Sequence, residues 1–225
     1  MPSAGRRGTV SETHSKQVDA AAYKFERYVT KERWASYWHQ IAEVSSVSPR
    51  EVLEIGVGPR IFPRVSALFN VSVETVDIDP ELEPDHVASV LALPFSDGQF
   101  DAVVAFQTLE HLPIDDALMG FREMARVARR YVIISLPDVT EVWRYLLRVP
   151  KLGELKLSIP RPRFRPLPNV KVGNHYWEVG RAGFSVEEVT TKFERCGCTC
   201  VRTYRVFENP YHRFFVFRTL RSASS

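Results

Sequence analysis

The sequence lacks the features of membrane-embedded and secreted proteins. No apolar run approaches the length needed to span a bilayer, roughly 18–20 residues. The first residues contain no apolar stretch of the kind that forms a secretory signal. Cysteine is scarce, and the three cysteines form one cluster, Cys196, Cys198 and Cys200. An odd, clustered set argues against a disulfide framework and favours a reducing compartment, so we expect a cytoplasmic protein.

The sequence also has little excess charge. A net charge of +3 is too small to indicate a nucleic-acid partner. With 225 residues, 44% of them hydrophobic, the chain is long enough to bury one core of ordinary size. Residues 1–17 are polar and predict a disordered tail. Residues 18–225 are expected to form a single domain, and nothing in the sequence indicates its oligomeric state.

The three cysteines alternate along an apparent strand, which places them on one face. Two interpretations remain open. They are small apolar side chains packed under a helix, or they are thiolate ligands of a metal. The second interpretation has little support, because no histidine follows them at ligand spacing.

Hydrophobic periodicity predicts strands and helices in alternation, which indicates an α/β fold with helices on both faces of a mostly parallel sheet. A helical repeat of Trp34 and Trp38 predicts that these rings either pack in the core or partly cover a ligand pocket. Pro63 is expected in the first turn of a helix that begins late, and Ser185-Val186-Glu187-Glu188 predicts a capping box at the start of the last helix. Predicted strands cover 51–55, 72–77, 101–106, 131–136, 198–207 and 213–219, and predicted helices cover 18–45, 115–129 and 185–195.

The most informative run is Val-Leu-Glu-Ile-Gly-Val-Gly at residues 52–58. Glycines at a strand end permit a tight turn and a close approach of the backbone to a ligand. Glu54 precedes them, and a carboxylate there favours a cationic ligand group over a pyrophosphate. Asp77 ends the second strand about 20 residues further on, the spacing of an acceptor for ribose hydroxyls.

Residues 93–112 add a third signal, Leu-Pro-Phe-Ser-Asp-Gly-Gln-Phe-Asp-Ala-Val-Val-Ala-Phe-Gln-Thr-Leu-Glu-His-Leu. Together the three segments closely resemble class I S-adenosylmethionine (SAM)-dependent methyltransferases over roughly residues 50–138. The resemblance implies a Rossmann-like, seven-stranded, mostly parallel sheet, in which the last two strands form a hairpin that makes one edge antiparallel. It also implies that SAM is the methyl donor.

The resemblance carries a donor site over residue by residue. The glycine loop lies against the methionine portion of SAM, Asp77 accepts the ribose hydroxyls, and Ile78 packs on the adenine. Two positions depart from the family pattern: Arg60 replaces a third glycine, and Ser89 replaces an aspartate that reads the adenine edge. The expected donor-binding residues are Glu54, Gly56, Gly58, Asp77, Ile78, Ser89, Val90, Phe106 and Gln107.

The acceptor side has weaker signals. Residues 139–179 break the α/β pattern and predict a proline-rich, irregular, lid-like insertion. Its residues 139–174 hold eight Lys and Arg against two Glu, a local charge of +6 that favours either an anionic acceptor or a solvated loop.

Two histidines are candidate general bases, because an unperturbed imidazole titrates near neutrality. They are His111, at the end of Leu-Glu-His-Leu, and His175, at the end of the insertion. A structural role for His111 is an equal alternative. Mg²⁺ is compatible with the sequence but not indicated, and no metal ligands are assigned. Tyr176, Trp177 and Glu178 are predicted to bind the acceptor, while Tyr211 and His212 are interpreted as structural.

These observations predict SAM-dependent methylation of a small polar acceptor, first of all at a hydroxyl oxygen of a sugar, glycan or secondary metabolite. The alternatives are an aromatic or polyketide phenol as acceptor, and a methyltransferase-like binding subunit with weak catalysis, suggested by Arg60 and Ser89. A nucleic-acid methyltransferase is disfavoured, because no Asn/Asp-Pro-Pro-aromatic motif follows the fourth strand. A nicotinamide-dependent oxidoreductase is disfavoured by Glu54, and by Ile61 where its third glycine should be.

Overall fold

The computed structural model describes residues 29–220, apart from 152, 164 and 166. The predicted tail and the first part of the predicted helix 18–45 lie outside the described residues. The helices are α1 (Lys31–Ser46), α2 (Ile61–Ala67), α3 (Ile114–Val127) and α4 (Val186–Glu194). The strands are β1 (Glu51–Ile55), β2 (Ser72–Asp77), β3 (His86–Val87), β4 (Phe100–Phe106), β5 (Ala128–Pro137), β6 (Val142–Val149), β7 (Gly153–Pro160), β8 (Cys198–Arg205) and β9 (His212–Thr219).

Seven strands form one sheet in the order β3-β2-β1-β4-β5-β9-β8. The first five pair in parallel, and β9 is antiparallel to both of its neighbours. This confirms the predicted Rossmann-like sheet with one antiparallel edge. The strand order reverses next to β1, so the carboxyl ends of β1 and β4 flank the crevice where such folds bind ligands.

Alternating side chains of the strands build a core on each face of the sheet. On one face Leu53, Val103 and Val132 pack with residues of α3 and α4. On the other face their neighbours along the strands pack with residues of α1 and α2. Helices therefore cover both faces, as the alternating pattern predicts.

Two local predictions about the helices are confirmed. Pro63 lies in the first turn of α2. The α4 helix begins with a capping box. The Glu188 N–H donates to the Ser185 hydroxyl, and the Ser185 N–H donates to the Glu188 carboxylate. No helix in the described part of the chain is long and apolar enough to cross a membrane.

The face that α1 buries differs from the predicted one. Trp34 and Trp38 are 53% and 64% exposed, whereas Tyr37 and Val44 are buried. The prediction that the two tryptophan rings pack in the core is therefore wrong. The periodicity of large residues misleads here because small and polar residues, Ser36 and Gln40, occupy the buried side of the helix.

The cysteines are free thiols that belong to the core. Cys196 and Cys198 are buried in the cluster under α3 and α4, and Cys200 packs against it. Burial raises the pKa of all three thiols, which keeps them protonated. This favours the packing interpretation over the metal-site alternative.

The insertion contains regular structure that the sequence did not predict. Strands β6 and β7 form an antiparallel hairpin outside the main sheet. Arg144 Nη1 on one face donates to the backbone oxygens of Phe207 and Glu208, and Lys156 Nζ donates to the Glu208 carboxylate. The polar face is thus tied to the β8–β9 turn. The opposite face is apolar and 40–61% exposed, and it comprises Trp143, Tyr145, Leu147, Leu155, Leu157 and Ile159.

Both ends of the insertion are fixed at one point of the sheet. Val139 and Val179 are joined by a backbone hydrogen bond. Beside them the buried Asp138 carboxylate pairs with Arg205 at 3.0 Å and Arg213 at 2.7 Å. The insertion therefore leaves and re-enters the domain at the carboxyl end of β5.

Candidate active site

The glycine loop after β1 has a conformation that only glycine fits. Gly56 has φ +80, and its N–H donates to the Val76 oxygen at 2.9 Å. A Cβ at this position would lie 2.5 Å from Thr108 Oγ1. The Thr108 hydroxyl is itself fixed, because it donates to the Ile55 carbonyl at 3.2 Å. Gly56 thus allows the ends of β1 and β4 to approach each other at the mouth of the predicted donor site.

Arg60 takes the place of the third glycine at a physical cost. It has φ +59, a left-handed conformation that costs an L-residue about 1–2 kcal/mol. A glycine, which the family pattern places here, would adopt this conformation without that cost. In return, the Arg60 guanidinium donates to the Glu83 carbonyl and links the glycine loop to the turn after β2.

Asp77 lies at the end of β2 and is half-buried. Its Oδ2 accepts from the Val57 N–H at 3.0 Å and its Oδ1 from the Asp79 N–H at 2.9 Å. Burial raises the pKa of this carboxyl, although these backbone donors lower it. Each carboxylate oxygen has a second lone pair and can accept one further hydrogen bond, such as one from a ribose hydroxyl.

Glu54 is a buried carboxylate without full compensation. It is 4% exposed, and its Oε2 has no hydrogen-bond partner among the described residues. Burial, and then the charge of Asp77, raise the pKa of Glu54 well above its usual range. A buried, unpaired carboxylate oxygen is costly, and a cationic ligand group such as the amino group of SAM would satisfy it.

The predicted adenine-side residues lie along the β2–β3 edge. The Ile78 side chain is exposed, as expected for a residue that packs on a ligand. The Ser89 hydroxyl accepts from the Leu91 N–H at 3.2 Å, which leaves its own proton available for donation. Val90 packs on Gly120 of α3 so closely that a Cβ on Gly120 would lie 2.9 Å from it.

Phe106 and Gln107 end β4 in different environments. The Phe106 ring packs on Phe62 and Phe214 at centroid distances of 5.2 and 6.0 Å, so it mainly supports the core. Gln107 has φ +55, and its Nε2 lies 3.4 Å from Ser135 Oγ. A left-handed backbone is strained in a non-glycine residue, and residues strained in this way cluster at functional sites.

The two candidate bases are brought together. The rings of His111 and His175 meet edge to face, with their centroids 4.9 Å apart. The Asn174 carbonyl, 63 residues further along the chain than His111, lies 3.3 Å from His111 Nδ1. Burial, and then the neighbouring His175, lower the pKa of His111 to about 4. His111 is therefore neutral at physiological pH, and it does not titrate near neutrality as an unperturbed imidazole would.

Glu178 is buried and accepts hydrogen bonds from three side chains of this region. Its Oε1 accepts from His175 Nδ1 at 2.9 Å and from the Tyr211 hydroxyl at 2.8 Å, and its Oε2 accepts from Arg181 at 2.7 Å. Burial alone would raise the pKa of Glu178, but these three donors lower it. Both oxygens are engaged, so Glu178 positions His175 and Tyr211 rather than contacting an acceptor directly.

The other two predicted acceptor residues, Tyr176 and Trp177, differ in exposure. Tyr176 is exposed, and the Lys171 ammonium lies 3.9 Å from its ring centroid. Trp177 is fully buried, its Nε1 donates to the Leu112 carbonyl at 3.0 Å, and its ring stacks on Phe184. Trp177 is a core residue, and its prediction as an acceptor-binding side chain is wrong.

Two residues of this region were missed by sequence reasoning. Tyr211 precedes β9, which is antiparallel and begins where β5 ends, so its hydroxyl reaches Glu178. This hydrogen bond is a structural contact, so the interpretation of Tyr211 as structural stays a prediction. Glu110 is 0% exposed, and neither carboxylate oxygen has a hydrogen-bond partner among the described residues. An acidic residue inside an apolar Leu-Glu-His-Leu run was the available signal.

The fold is of the α/β class that binds ligands at the carboxyl edge of the sheet, where Glu54 and Asp77 lie at or near the ends of β1 and β2. Residues 53–136 match the family described as methyltransferase domain. None of the curated proteins matches the sequence closely enough to count as a relative.

Solved structures support the same class through their fold. A sugar N-methyltransferase from Streptoalloteichus has a TM-score of 0.61 at 12% identity, covering 98% of this chain and 100% of its own. Magnesium protoporphyrin IX methyltransferase from Synechocystis has a TM-score of 0.59 at 14% identity, covering 84% of each chain. A 1,6-didemethyltoxoflavin-N1-methyltransferase from Burkholderia thailandensis has a TM-score of 0.51 at 15% identity, covering 94% of each chain.

Residues 53–136 are similar to the methyltransferase-domain family, and the fold of the chain is that of SAM-dependent methyltransferases of known structure. This similarity agrees with the resemblance that the three sequence segments indicated, and solved structures of two similar methyltransferases contain SAM or SAH.

Proposed function

We propose that the protein transfers the methyl group of SAM to a small polar acceptor. The first candidate for the methylated atom is a hydroxyl oxygen of a sugar-like compound or secondary metabolite. The observation that carries the donor half is the buried Glu54 carboxylate beside half-buried Asp77, at the carboxyl ends of adjacent strands. One carboxylate suits the amino group of the donor, and the other suits its ribose hydroxyls.

Gly56, Gly58 and the backbone they shape lie against the methionine portion in this proposal, while Ile78, Ser89 and Val90 contact the adenosine. Holding donor and acceptor in near-attack geometry can supply several kcal/mol of the barrier reduction. The chain's own residues therefore contribute mainly orientation and exclusion of water.

His111 and His175 are the proposed bases for a hydroxyl acceptor. A hydroxyl must lose its proton as the methyl arrives, and a neutral imidazole in hydrogen-bond reach can accept it. The contact of His175 Nδ1 with Glu178 supports this role, because it fixes the ring and leaves Nε2 as the free nitrogen.

Residues 139–179 are proposed to act as a lid over the acceptor. The insertion returns to the sheet edge through His175 and Tyr176, and the Tyr176 N–H donates to the Glu110 carbonyl at 2.9 Å. The basic side chains of the insertion would favour an anionic or sugar-like acceptor. We further propose that the protein works in the cytoplasm, since its three cysteines are free.

An amine of a sugar is the second candidate acceptor. It is favoured by the similarity to a sugar N-methyltransferase over nearly the whole of both chains. A neutral amine attacks with its own lone pair and needs no base beforehand, so the two candidates make different demands on the histidines. A phenol, and a binding subunit with weak catalysis, remain as further alternatives.

A methyl-transfer screen tests the proposal. The protein is incubated with SAM labelled in its methyl group and with matched hydroxyl and amino sugars, phenols and hydroxy acids, and the labelled products are identified by mass spectrometry. We expect labelled hydroxyl products, and a turnover about 100-fold lower or more for His111→Ala or His175→Ala with unchanged SAM affinity. Labelled amino sugars with turnover insensitive to both variants would favour the amine. SAM binding without any product would favour the binding subunit.

A further inference from the structure

Three side chains meet beside the predicted acceptor site in an arrangement that suits a metal ion. Glu110, His111 and His175 each offer one ligand atom, and these atoms all lie within 4.8 Å of one another. Glu110 and His111 share the short 3₁₀ turn Leu109–His111 that follows β4. His175 comes from the returning end of the insertion, and the hydrogen bond between the Tyr176 N–H and the Glu110 carbonyl joins the two segments.

Glu110 is the member of this group whose environment demands a ligand. Its side chain is fully buried, and both carboxylate oxygens lack a hydrogen-bond partner among the described residues. Protonation would not remove the cost, because a buried O–H would then lack an acceptor. A cation at this point would compensate the carboxylate directly.

In both histidines an oxygen acceptor lies beside one ring nitrogen, as is common for metal-binding histidines. His175 Nδ1 donates to Glu178 Oε1 at 2.9 Å, and Arg181 Nε donates to the other oxygen of that carboxylate. His111 Nδ1 lies 3.3 Å from the Asn174 carbonyl. A carboxylate or carbonyl on one ring nitrogen fixes the tautomer and leaves the other nitrogen to the metal. In both rings the nitrogen left is Nε2.

We propose that Glu110, His111 and His175 form a binding site for one divalent transition-metal cation of the Zn²⁺ type. Two imidazoles and one carboxylate suit Zn²⁺ and its neighbours in the first transition series, whereas Mg²⁺ prefers an all-oxygen, largely hydrated shell. Three protein ligands leave an open position for water or an acceptor oxygen. This revises the expectation from sequence, which assigned no metal ligands.

A cation at this site would change how the acceptor is prepared. Both imidazoles would then be ligands, and the cation would lower the pKa of a hydroxyl bound at its open position, so that the proton leaves to solvent. This consequence rests on the proposed methyl transfer to oxygen. The binding of the cation does not, and it can be measured without donor or acceptor.

Calorimetric titration of the chelator-treated full chain with ZnCl₂ tests the site, together with thermal unfolding with and without Zn²⁺. We expect one equivalent of Zn²⁺ to bind and to raise the Tm, and no such rise with MgCl₂ at the same concentration. Glu110→Gln and His175→Ala should each weaken Zn²⁺ binding about 10- to 100-fold or more. His86→Ala, which removes an imidazole paired with Glu74 on another strand, and Cys200→Ser should leave binding unchanged.

Binding of S-adenosylhomocysteine (SAH), the demethylated product of SAM, shows whether each variant is folded. If Glu110→Gln does not fold, the Zn²⁺ affinity of His175→Ala tests the site. No saturable Zn²⁺ binding, or equal binding by wild type and His175→Ala, would overturn the site. Loss of binding in Cys200→Ser alone would place the ion elsewhere and overturn it too. Failure of the wild type to bind SAH while it binds Zn²⁺ would contradict the proposed donor site and leave the metal site standing.

Discussion

At the scale of single residues, Asp77 decides donor affinity. It is the carboxylate proposed to accept the ribose hydroxyls, and charge-assisted hydrogen bonds contribute about 1.5–3 kcal/mol. We predict that Asp77→Ala weakens SAM binding roughly 10- to 100-fold in a calorimetric titration. It should also lower the Tm of the ligand-free protein, because the Val57 and Asp79 N–H groups lose their acceptor. Asp115→Ala, which removes an exposed carboxylate at the start of α3, serves as the control. Unchanged affinity in Asp77→Ala would remove this residue from the site.

Glu54 makes the stability of the ligand-free protein depend on pH. Its pKa is raised on folding, mainly by burial and then by Asp77, so the folded state holds a proton that the unfolded state releases. The free energy of unfolding contributed by this group therefore falls as pH rises above the carboxyl's ordinary range, about 4.5.

We predict that Glu54→Gln gains Tm relative to wild type as pH increases from about 5 to 8, because the amide has no charge to desolvate. Differential scanning calorimetry across this range measures the effect. A Tm difference that stays constant with pH would mean that the Glu54 carboxyl is not perturbed.

At the scale of elements, the root of the insertion depends on one buried ion cluster. Removing the Asp138 carboxylate leaves the Arg205 and Arg213 guanidiniums without their counter-charge, and breaking a buried pair typically costs 3–5 kcal/mol. We predict that Asp138→Ala lowers the free energy of unfolding by about 3 kcal/mol or more in urea denaturation.

Glu141→Ala is the matched control for this variant. It removes an exposed carboxylate from Arg161 and Arg163 a few residues further along the insertion. An exposed pair contributes about 0–1 kcal/mol. Equal effects of the two substitutions would show that the Asp138 cluster does not fix the root.

The β6–β7 hairpin should respond to ligands if the insertion is a lid. Its apolar face is exposed, whereas its polar face is tied to the β8–β9 turn. Closure over donor and acceptor would slow amide hydrogen exchange in residues 139–179. The β5–β9 pairs in the centre of the sheet provide the reference. Exchange that is equally slow with and without both ligands would identify the insertion as a static arm.

At the scale of the whole molecule, the parts predictable from sequence are those with local signals. The glycine loop, the acidic residue ending β2 and the capping box of α4 each depend on residues close together in the chain. Strand positions followed from runs of apolar residues, and each of the six predicted strands agrees with an observed strand within three residues at either end. The two-residue strand β3 was not predicted.

The features that were missed depend on tertiary contacts. The β6–β7 hairpin was not predicted for two reasons. The prolines of the insertion suggested irregular structure, and Leu146, on the polar face, interrupts the alternation of apolar and polar residues along β6. Burial of Trp177 requires the Leu112 carbonyl and Phe184, which no local pattern reveals. The approach of Tyr211 to Glu178 follows from the antiparallel pairing of β9 with β5. The approach of His111 to His175 follows from the path of a long insertion.

The central claim is that this chain binds SAM at the carboxyl ends of β1 and β2. A calorimetric titration of the wild-type protein with SAM, SAH and NAD tests it most directly. The account predicts one equivalent of SAM or SAH bound per chain and no saturable binding of NAD, because the amino group of SAM or SAH compensates Glu54 as its carboxyl loses its proton, whereas a pyrophosphate at this position supplies no cationic group. It also predicts proton release on SAM binding in wild type that is absent in Glu54→Gln. Saturable binding of NAD without binding of SAM or SAH would contradict it.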